Sequence, residues 1–270
     1  MHFGACLLWQ AEHAGITVSK IKSGSARKCS QHTHRQAFFS LLVSGHYSET
    51  YGNGVLNYRP FDLGFHPEGT EHSDRTDEAG SIFFLIELEQ PWVGRLLEYS
   101  AVDDLRPRLC NPQASWLAAR LYSARAGIGL SPLALEGVVL ELLATLAPCR
   151  RNERNAPRWI GSVRDLLNAT YACRHTLGSI ARILDLHPVY LARTFRKFQG
   201  ESPAEYLMGV RIRVAMNQLA NSELPVSEIA LLSGFFDQSH LTRALKQHTG
   251  MTPAAFRMSA ASEPQEIHLA

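Results

Sequence analysis

The stretch "GFFDQSHLTRALKQHTGMTPAAF" (Gly234–Phe256) has a near copy upstream, "LHPVYLARTFRKFQGESPAEY" (Leu186–Tyr206), and their comparison sets the architecture of the second half of the chain. Ile180-Ala181 matches Ile229-Ala230, and Leu186 matches Phe235, at an offset of 49 residues. After a one-residue slip the offset becomes 50. Leu191, Arg193, Phe195, Gly200, Ser202, Pro203 and Tyr206 then match Leu241, Arg243, Leu245, Gly250, Thr252, Pro253 and Phe256. Two matched blocks joined by a slip in a turn predict a repeated helix-turn-helix. A chance likeness of two amphipathic helices does not reproduce the Gly and Pro punctuation as well.

In each copy a short first helix (around 178–184 and 226–232) leads through a turn to a second, starting at Pro188 or near Asp237. Leu191 with Phe195, and Leu241 with Leu245, fall at i, i+4 on the predicted buried face. The opposite face carries Val189, Tyr190, Ala192, Arg193 and Arg196 in the first copy, and Gln238, Ser239, Thr242, Arg243 and Lys246 in the second. These types suit nucleic acid: Arg pairs with guanine, Gln with adenine, small apolar groups meet a thymine methyl, and cations meet phosphates. Between the copies "SPAEYLMGVRIRVAMNQLANSE" predicts a helix with Ser202 as N-cap and Pro203 at its first position. Met208, Ile212, Ala215, Met216 and Leu219 form its apolar stripe. A strut of about seventeen residues, ~25 Å long, can present two recognition helices to successive major-groove faces.

Charge is divided along the chain. The net is +2 overall, but residues 1–149 hold 12 Lys/Arg against 15 Asp/Glu, and residues 150–258 hold 15 against 8. The basic half is the one expected to meet a polyanion. At 270 residues with 45% hydrophobic and 19% charged content, the chain is long enough for two globular domains. No apolar run reaches the length of a membrane span. The start "MHFGACLLWQAEH" lacks the pattern of a signal peptide. Five scattered cysteines without a Cys-x-x-Cys pair argue against a disulfide framework or a structural zinc site. The cytoplasm is the expected compartment.

From about residue 16 to 90, short apolar runs such as "AFFSLLVSG" and "GSIFFLIELE" alternate with turn residues and predict a small barrel or sandwich. Helical texture follows, with Asn111-Pro112 and Ser131-Pro132 as helix starts. The helix "LALEGVVLELLATLA" is apolar nearly all round, which makes it either a core helix of the front domain or a homodimer contact. "PCRRNERNAPR" (148–158) has the composition of a linker, and "SEPQEIHLA" that of a frayed tail. Seven of the twelve histidines lie in the first 72 residues. His32 and His34 share one face if extended, and with His72 they have the makings of a metal site.

Residues 160–258 closely resemble the DNA-binding domain of the AraC/XylS transcriptional regulators, on "SIARILDLHPVYLARTFRKFQGESPAEYL", "RIRVAMNQL" and "IALLSGFFDQSHLTRALKQHTGMTPAAFR". His187 stands where that family usually has a Ser N-cap, and Phe236 where a small polar residue is common. "HTHRQAFFSLLVSG" and "RPFDLGFHPEGTEH" resemble the two cupin motifs, in agreement with the sensor domain of many such regulators. The carboxylate of metal-binding cupins would fall near Phe38, and Phe61 replaces a usual Gly. The resemblance therefore implies a metal-free pocket, lined by His32, His34 and His72, for a small-molecule effector.

The expected fold is α+β with two domains. The first (1–147) is a cupin-like β-barrel with trailing helices (about 112–147). A linker (148–158) leads to an all-α domain (159–258) of two helix-turn-helix units joined by a long helix, and then to a tail (259–270). The expected function is that of an effector-responsive transcriptional activator, homodimeric, binding double-stranded promoter DNA and contacting RNA polymerase. Neither catalytic residues nor a cofactor, metal or membrane association are expected. Two alternatives stay open: a metal-dependent cupin enzyme fused to a DNA-binding module, and a constitutive dimeric regulator without effector.

Overall fold

Period-two patterning over short runs yields nine strands before residue 90 in a computed structural model that describes residues 5–24, 28–52, 54–76, 80–99, 105–110, 112–125, 131–146 and 156–261. They are β1 (Ala5–His13), β2 (Ile16–Ser23), β3 (Lys28–His32), β4 (Ala37–Ser44), β5 (Tyr47–Tyr51), β6 (Gly54–Tyr58), β7 (Leu63–His66), β8 (His72–Thr76) and β9 (Ile82–Leu88). Then follow α1 (Gln90–Tyr99), the two-residue β10 (Arg108–Leu109), α2 (Pro112–Arg125) and α3 (Pro132–Leu146). The expected helix start at Asn111 and most of the expected linker (148–155) and tail (262–270) lie outside the described residues.

The strands sort into a six-stranded sheet, β1-β2-β9-β4-β7-β10, and a four-stranded sheet, β3-β8-β5-β6. All described pairings are antiparallel. β4, "AFFSLLVS", is buried on both faces, which is why it reads as a continuous apolar run rather than an alternation. One face joins Ile21, Tyr58, Phe83 and Leu85 in a core between the sheets. Across the other lies α2, whose Tyr122 ring meets Phe84 at 5.7 Å.

The expected cupin-like β-barrel does not form. The larger sheet ends at β1 and β10 and the smaller at β3 and β6, and among the described residues no strand pairing joins one sheet to the other. The front unit is an open, two-sheet α+β arrangement. Alternation in sequence reports which side of a strand is buried, and that is the same in a closed barrel and in two facing sheets. Only the hydrogen-bond partners of the edge strands distinguish them.

By contacts the chain divides into two units, Met1–Pro148 with His248–Ala270, and Cys149–Gln247. The second is helical: α4 (Trp159–Ala169), α5 (Leu177–Ile183), α6 (Pro188–Gln199), α7 (Pro203–Asn221), α8 (Val226–Leu232) and most of α9 (Gln238–Thr249); α10 (Pro253–Ala261) groups with the first unit. Ile160, Val163 and Leu167 of α4 pack with Ile180, Leu191, Phe195, Tyr206 and Val210 in one core. The connecting helix α7 runs to 19 residues, ~28 Å at 1.5 Å per residue. Among the described residues no helix is long and apolar enough to cross a membrane.

Candidate functional site

Both repeats build the same scaffold. Leu191 and Phe195 of α6, and Leu241 and Leu245 of α9, are fully buried, so each second helix is fixed by its apolar face. The turn before it requires one left-handed residue. Asp185 takes φ 52° in the first copy, and Gly234, 49 positions on, takes φ 82° in the second. At Gly234 an added Cβ would lie 2.9 Å from Ala172 Cα, Tyr171 O and Arg211 Nε. Arg211 itself ties α7 to the α4–α5 connection, donating to Tyr171 O and Cys173 O at 2.8 Å each. Neither Gly234 nor Arg211 carries a signal in the repeat comparison that separates it from an ordinary turn glycine or surface cation.

The helix starts differ. Asp237 Oδ1 accepts the His240 amide at 2.7 Å and caps α9, whereas His187 before α6 makes no side-chain cap. His187→Ser is accordingly expected to stabilise the helical unit by about 1 kcal/mol, read as a higher urea midpoint with an unchanged slope. An unmoved midpoint would show that the hydroxyl finds no amide there.

Of the expected nucleic-acid contacts, Val189, Tyr190, Arg193, Arg196, Gln238, Ser239, Arg243 and Lys246 are exposed, and Ala192 and Thr242 half-buried. Two are already engaged. Thr242 donates its hydroxyl to Gln238 O at 2.8 Å, a bond within the helix. Arg196 grips both oxygens of Glu205 at 2.9 and 3.1 Å, across the bend between α6 and α7. The backbone and hydroxyl of Ser202, together with Arg196, hold the Glu205 carboxyl down at about 2. Arg196 thus offers part of its guanidinium fork to a carboxylate of its own chain, while Arg193 and Arg243 are exposed on their helices.

Between the two sheets of the front unit lies a cavity of about 70 Å³, lined by His32, His34, Phe38, Glu49, His72 and Asp74 among others. All three histidines singled out in the sequence border it. His32 and His72 face each other across the β3–β8 pairing. The His32–His72 ring centroids are 4.4 Å apart and those of His34–His72 5.2 Å. Burial lowers the His72 pKa below its ordinary value, with Glu49 opposing. At the floor, buried Glu49 accepts hydroxyl donors from Tyr47 (2.7 Å), Tyr51 (2.7 Å) and Tyr58 (2.8 Å). Burial pushes its carboxyl up, against these three hydrogen bonds. His66 joins the network, with Tyr51 Oη 2.8 Å from Nδ1 and Ser40 Oγ 2.8 Å from Nε2. Tyr58 has room because residue 64 is glycine; a Cβ there would overlap the Tyr58 ring and hydroxyl. Glu49, His66, Asp74 and the tyrosines were not picked out by the sequence reading. The available signal was Tyr47, Glu49 and Tyr51 at i, i+2, i+4, which puts all three on one face of a strand.

The geometry of the second half defines a tandem helix-turn-helix. Residues 180–259 match the family model described as "Helix-turn-helix domain". The bifunctional transcriptional activator/DNA repair enzyme AdaA of Bacillus subtilis (strain 168) is 29% identical over 127 residues, which are 45% of this chain and 60% of that protein. The HTH-type transcriptional regulator RipA of Corynebacterium glutamicum is 35% identical over 117 residues, 42% of this chain and 35% of that protein. A solved structure, the C-terminal domain of AraT, a response regulator from Geobacillus stearothermophilus, is 28% identical over 43% of this chain and 97% of that one, with a TM-score of 0.39. The matched region spans less than two thirds of the length of AdaA and of RipA. Both names describe regulators of transcription, and AdaA's adds a DNA repair activity.

Proposed function

We propose that the chain is a sequence-specific DNA-binding transcriptional regulator of the AraC/XylS type. Its carrying observation is the duplicated helix with one face buried through Leu191/Phe195 or Leu241/Leu245 and the other exposing Arg193 or Arg243. Val189, Tyr190, Ala192 and Arg193 form the first reader, with Arg196 shared between phosphate and Glu205. Gln238, Ser239, Thr242, Arg243 and Lys246 form the second, which is richer in hydrogen-bonding groups and carries more of the base readout. The DNA-binding domain covers 159–258, the front domain 1–147 with 148–158 as linker and 259–270 as tail, and the protein works in the cytoplasm.

The front domain holds an effector in the cavity at His32, His34 and His72, and occupancy shifts the population toward the DNA-engaged arrangement. A homodimer is supported by α3, which buries Leu135, Val139, Leu142, Leu143 and Leu146 but exposes Leu133 and Leu140 seven residues apart. Activation is the sign of regulation supported by the name of AdaA, and contact with RNA polymerase is part of that reading.

Arg243→Ala is expected to weaken binding to a selected operator by about 1–3 kcal/mol and to relax preference at one base pair. Anisotropy titrations over a salt series read both quantities. Unchanged affinity in the variant, or wild-type binding insensitive to salt, would refute the assignment.

A further inference from the structure

We propose that Phe236 is a specificity-determining residue of the second reader, its ring taking the C5 methyl of a thymine in the major groove. The inference rests on the helix-turn-helix reading and adds a base contact to it. A singly exposed apolar side chain is ordinary on a protein surface. Among the described residues, however, only two Phe, Tyr or Trp side chains are exposed, Tyr190 at 51% and Phe236 at 73%. Each stands at the start of one reader: Tyr190 is the third residue of α6, and Phe236 comes two residues before the first of α9. The backbone there is tied down. Phe235 is buried, and Asp237 caps α9 by accepting the His240 amide at 2.7 Å. The Phe236 amide donates to His240 Nδ1 at 3.5 Å, and the His240 ring stands edge-on to Phe235 at 5.2 Å. The exposed ring is therefore carried on a fixed support, as a group that reads geometry must be.

Position and chemistry select what the ring meets. A recognition helix reaches base edges through its N-terminal residues. Phe236 lies at that end of α9, followed after the cap by Gln238 and Ser239, both exposed. A phenyl ring has no donor or acceptor to offer a base edge. The apolar group that base pairs present in the major groove is the thymine methyl. Phosphate contacts fall to the exposed cations Arg243 and Lys246 on the same helix. The first copy has no equivalent position, because its turn is one residue shorter: α5 and α8 start 49 apart, α6 and α9 start 50 apart. The contact therefore belongs to one half-site only and gives the operator a direction.

The test uses the full chain and an operator that it selects from random duplexes. Each thymine is replaced singly by deoxyuridine, which removes only the C5 methyl. At one position in the half-site of the second reader, the wild type is expected to lose about 4-fold in affinity, the value of one buried methyl. Phe236→Ala is expected to bind the thymine and deoxyuridine duplexes equally at that position, and Phe236→Leu to keep most of the difference. Each variant is compared with itself on the two duplexes, so a change in its stability cancels. Phe236→Ser gives the same readout should Phe236→Ala bind too weakly to measure. Arg193→Ala and Arg243→Ala assign the half-sites by the base preference that each relaxes. Deoxyuridine losses that are the same in Phe236→Ala and in the wild type at every position overturn the inference. A loss that Phe236→Ala removes only in the half-site of the first reader overturns it as well. A wild-type chain that selects no operator, or binds without dependence on salt, overturns the helix-turn-helix reading and this contact with it. Salt-dependent operator binding with unaltered deoxyuridine losses overturns the contact alone.

Discussion

Replacing Gly234 by alanine is expected to lower the stability of the helical unit by about 3 kcal/mol and to abolish operator binding at working protein concentrations. Two costs combine. A left-handed φ of 82° is unfavourable by about 1 kcal/mol for any residue with a Cβ. The new methyl would also meet backbone on two sides, Ala172 Cα and Tyr171 O at 2.9 Å, and overpacking of that kind costs about 1–3 kcal/mol. The third neighbour, Arg211 Nε, cannot retreat cheaply because it donates to Tyr171 O. Asp185→Gly is the control, since it relieves the left-handed strain at the equivalent turn and should raise stability slightly. Urea unfolding followed in the helical dichroism band measures both. A loss under 1 kcal/mol in the alanine variant would mean that the turn adjusts and that this contact does not position the second reader.

Glu49→Ala is expected to cost the front unit about 3 kcal/mol, because one side chain terminates three tyrosine hydroxyls. Removing it leaves Tyr47 Oη without its 2.7 Å acceptor, and leaves Tyr51 and Tyr58 to compete for His66. Each buried hydroxyl left without an acceptor costs about 1–3 kcal/mol. Glu49→Gln keeps one carbonyl oxygen and should lose roughly half as much. Thermal unfolding of both variants separates the contributions. Equal losses from Ala and Gln would place the cost in the carboxylate's charge rather than in the tyrosine network.

What could be read from the sequence was whatever repeats locally. The buried Leu and Phe positions of α6 and α9, and the caps at Ser202 and Ser131, follow from spacing of three or four residues and from residue type. The pairing of Arg196 with Glu205 is invisible to helical spacing, because Glu205 is nine residues away and meets it only through a chain reversal. Tyr-x-Glu-x-Tyr is a polar pattern with nothing local to mark it as interior, and only the facing sheet buries Glu49. The strand texture predicts a barrel or a sandwich alike, and the cupin resemblance is what chose the barrel. Closure turned on hydrogen bonds between edges that no local pattern encodes.

The one-residue slip between the repeats falls in the turn of the second copy. α5 and α8 start 49 positions apart, α6 and α9 start 50 apart, and the buried pairs stay in phase. The longer turn carries Phe236, 73% exposed, between buried Phe235 and the cap Asp237. The first turn has no such spare position, because Asp185, Leu186 and His187 are the bend, the half-buried anchor and the helix start. A duplicated module gains room to diverge where its backbone has slack. The second reader can therefore be retuned by substitution at one loop position without disturbing its hydrophobic footing, while change in the first must be made on the helix itself.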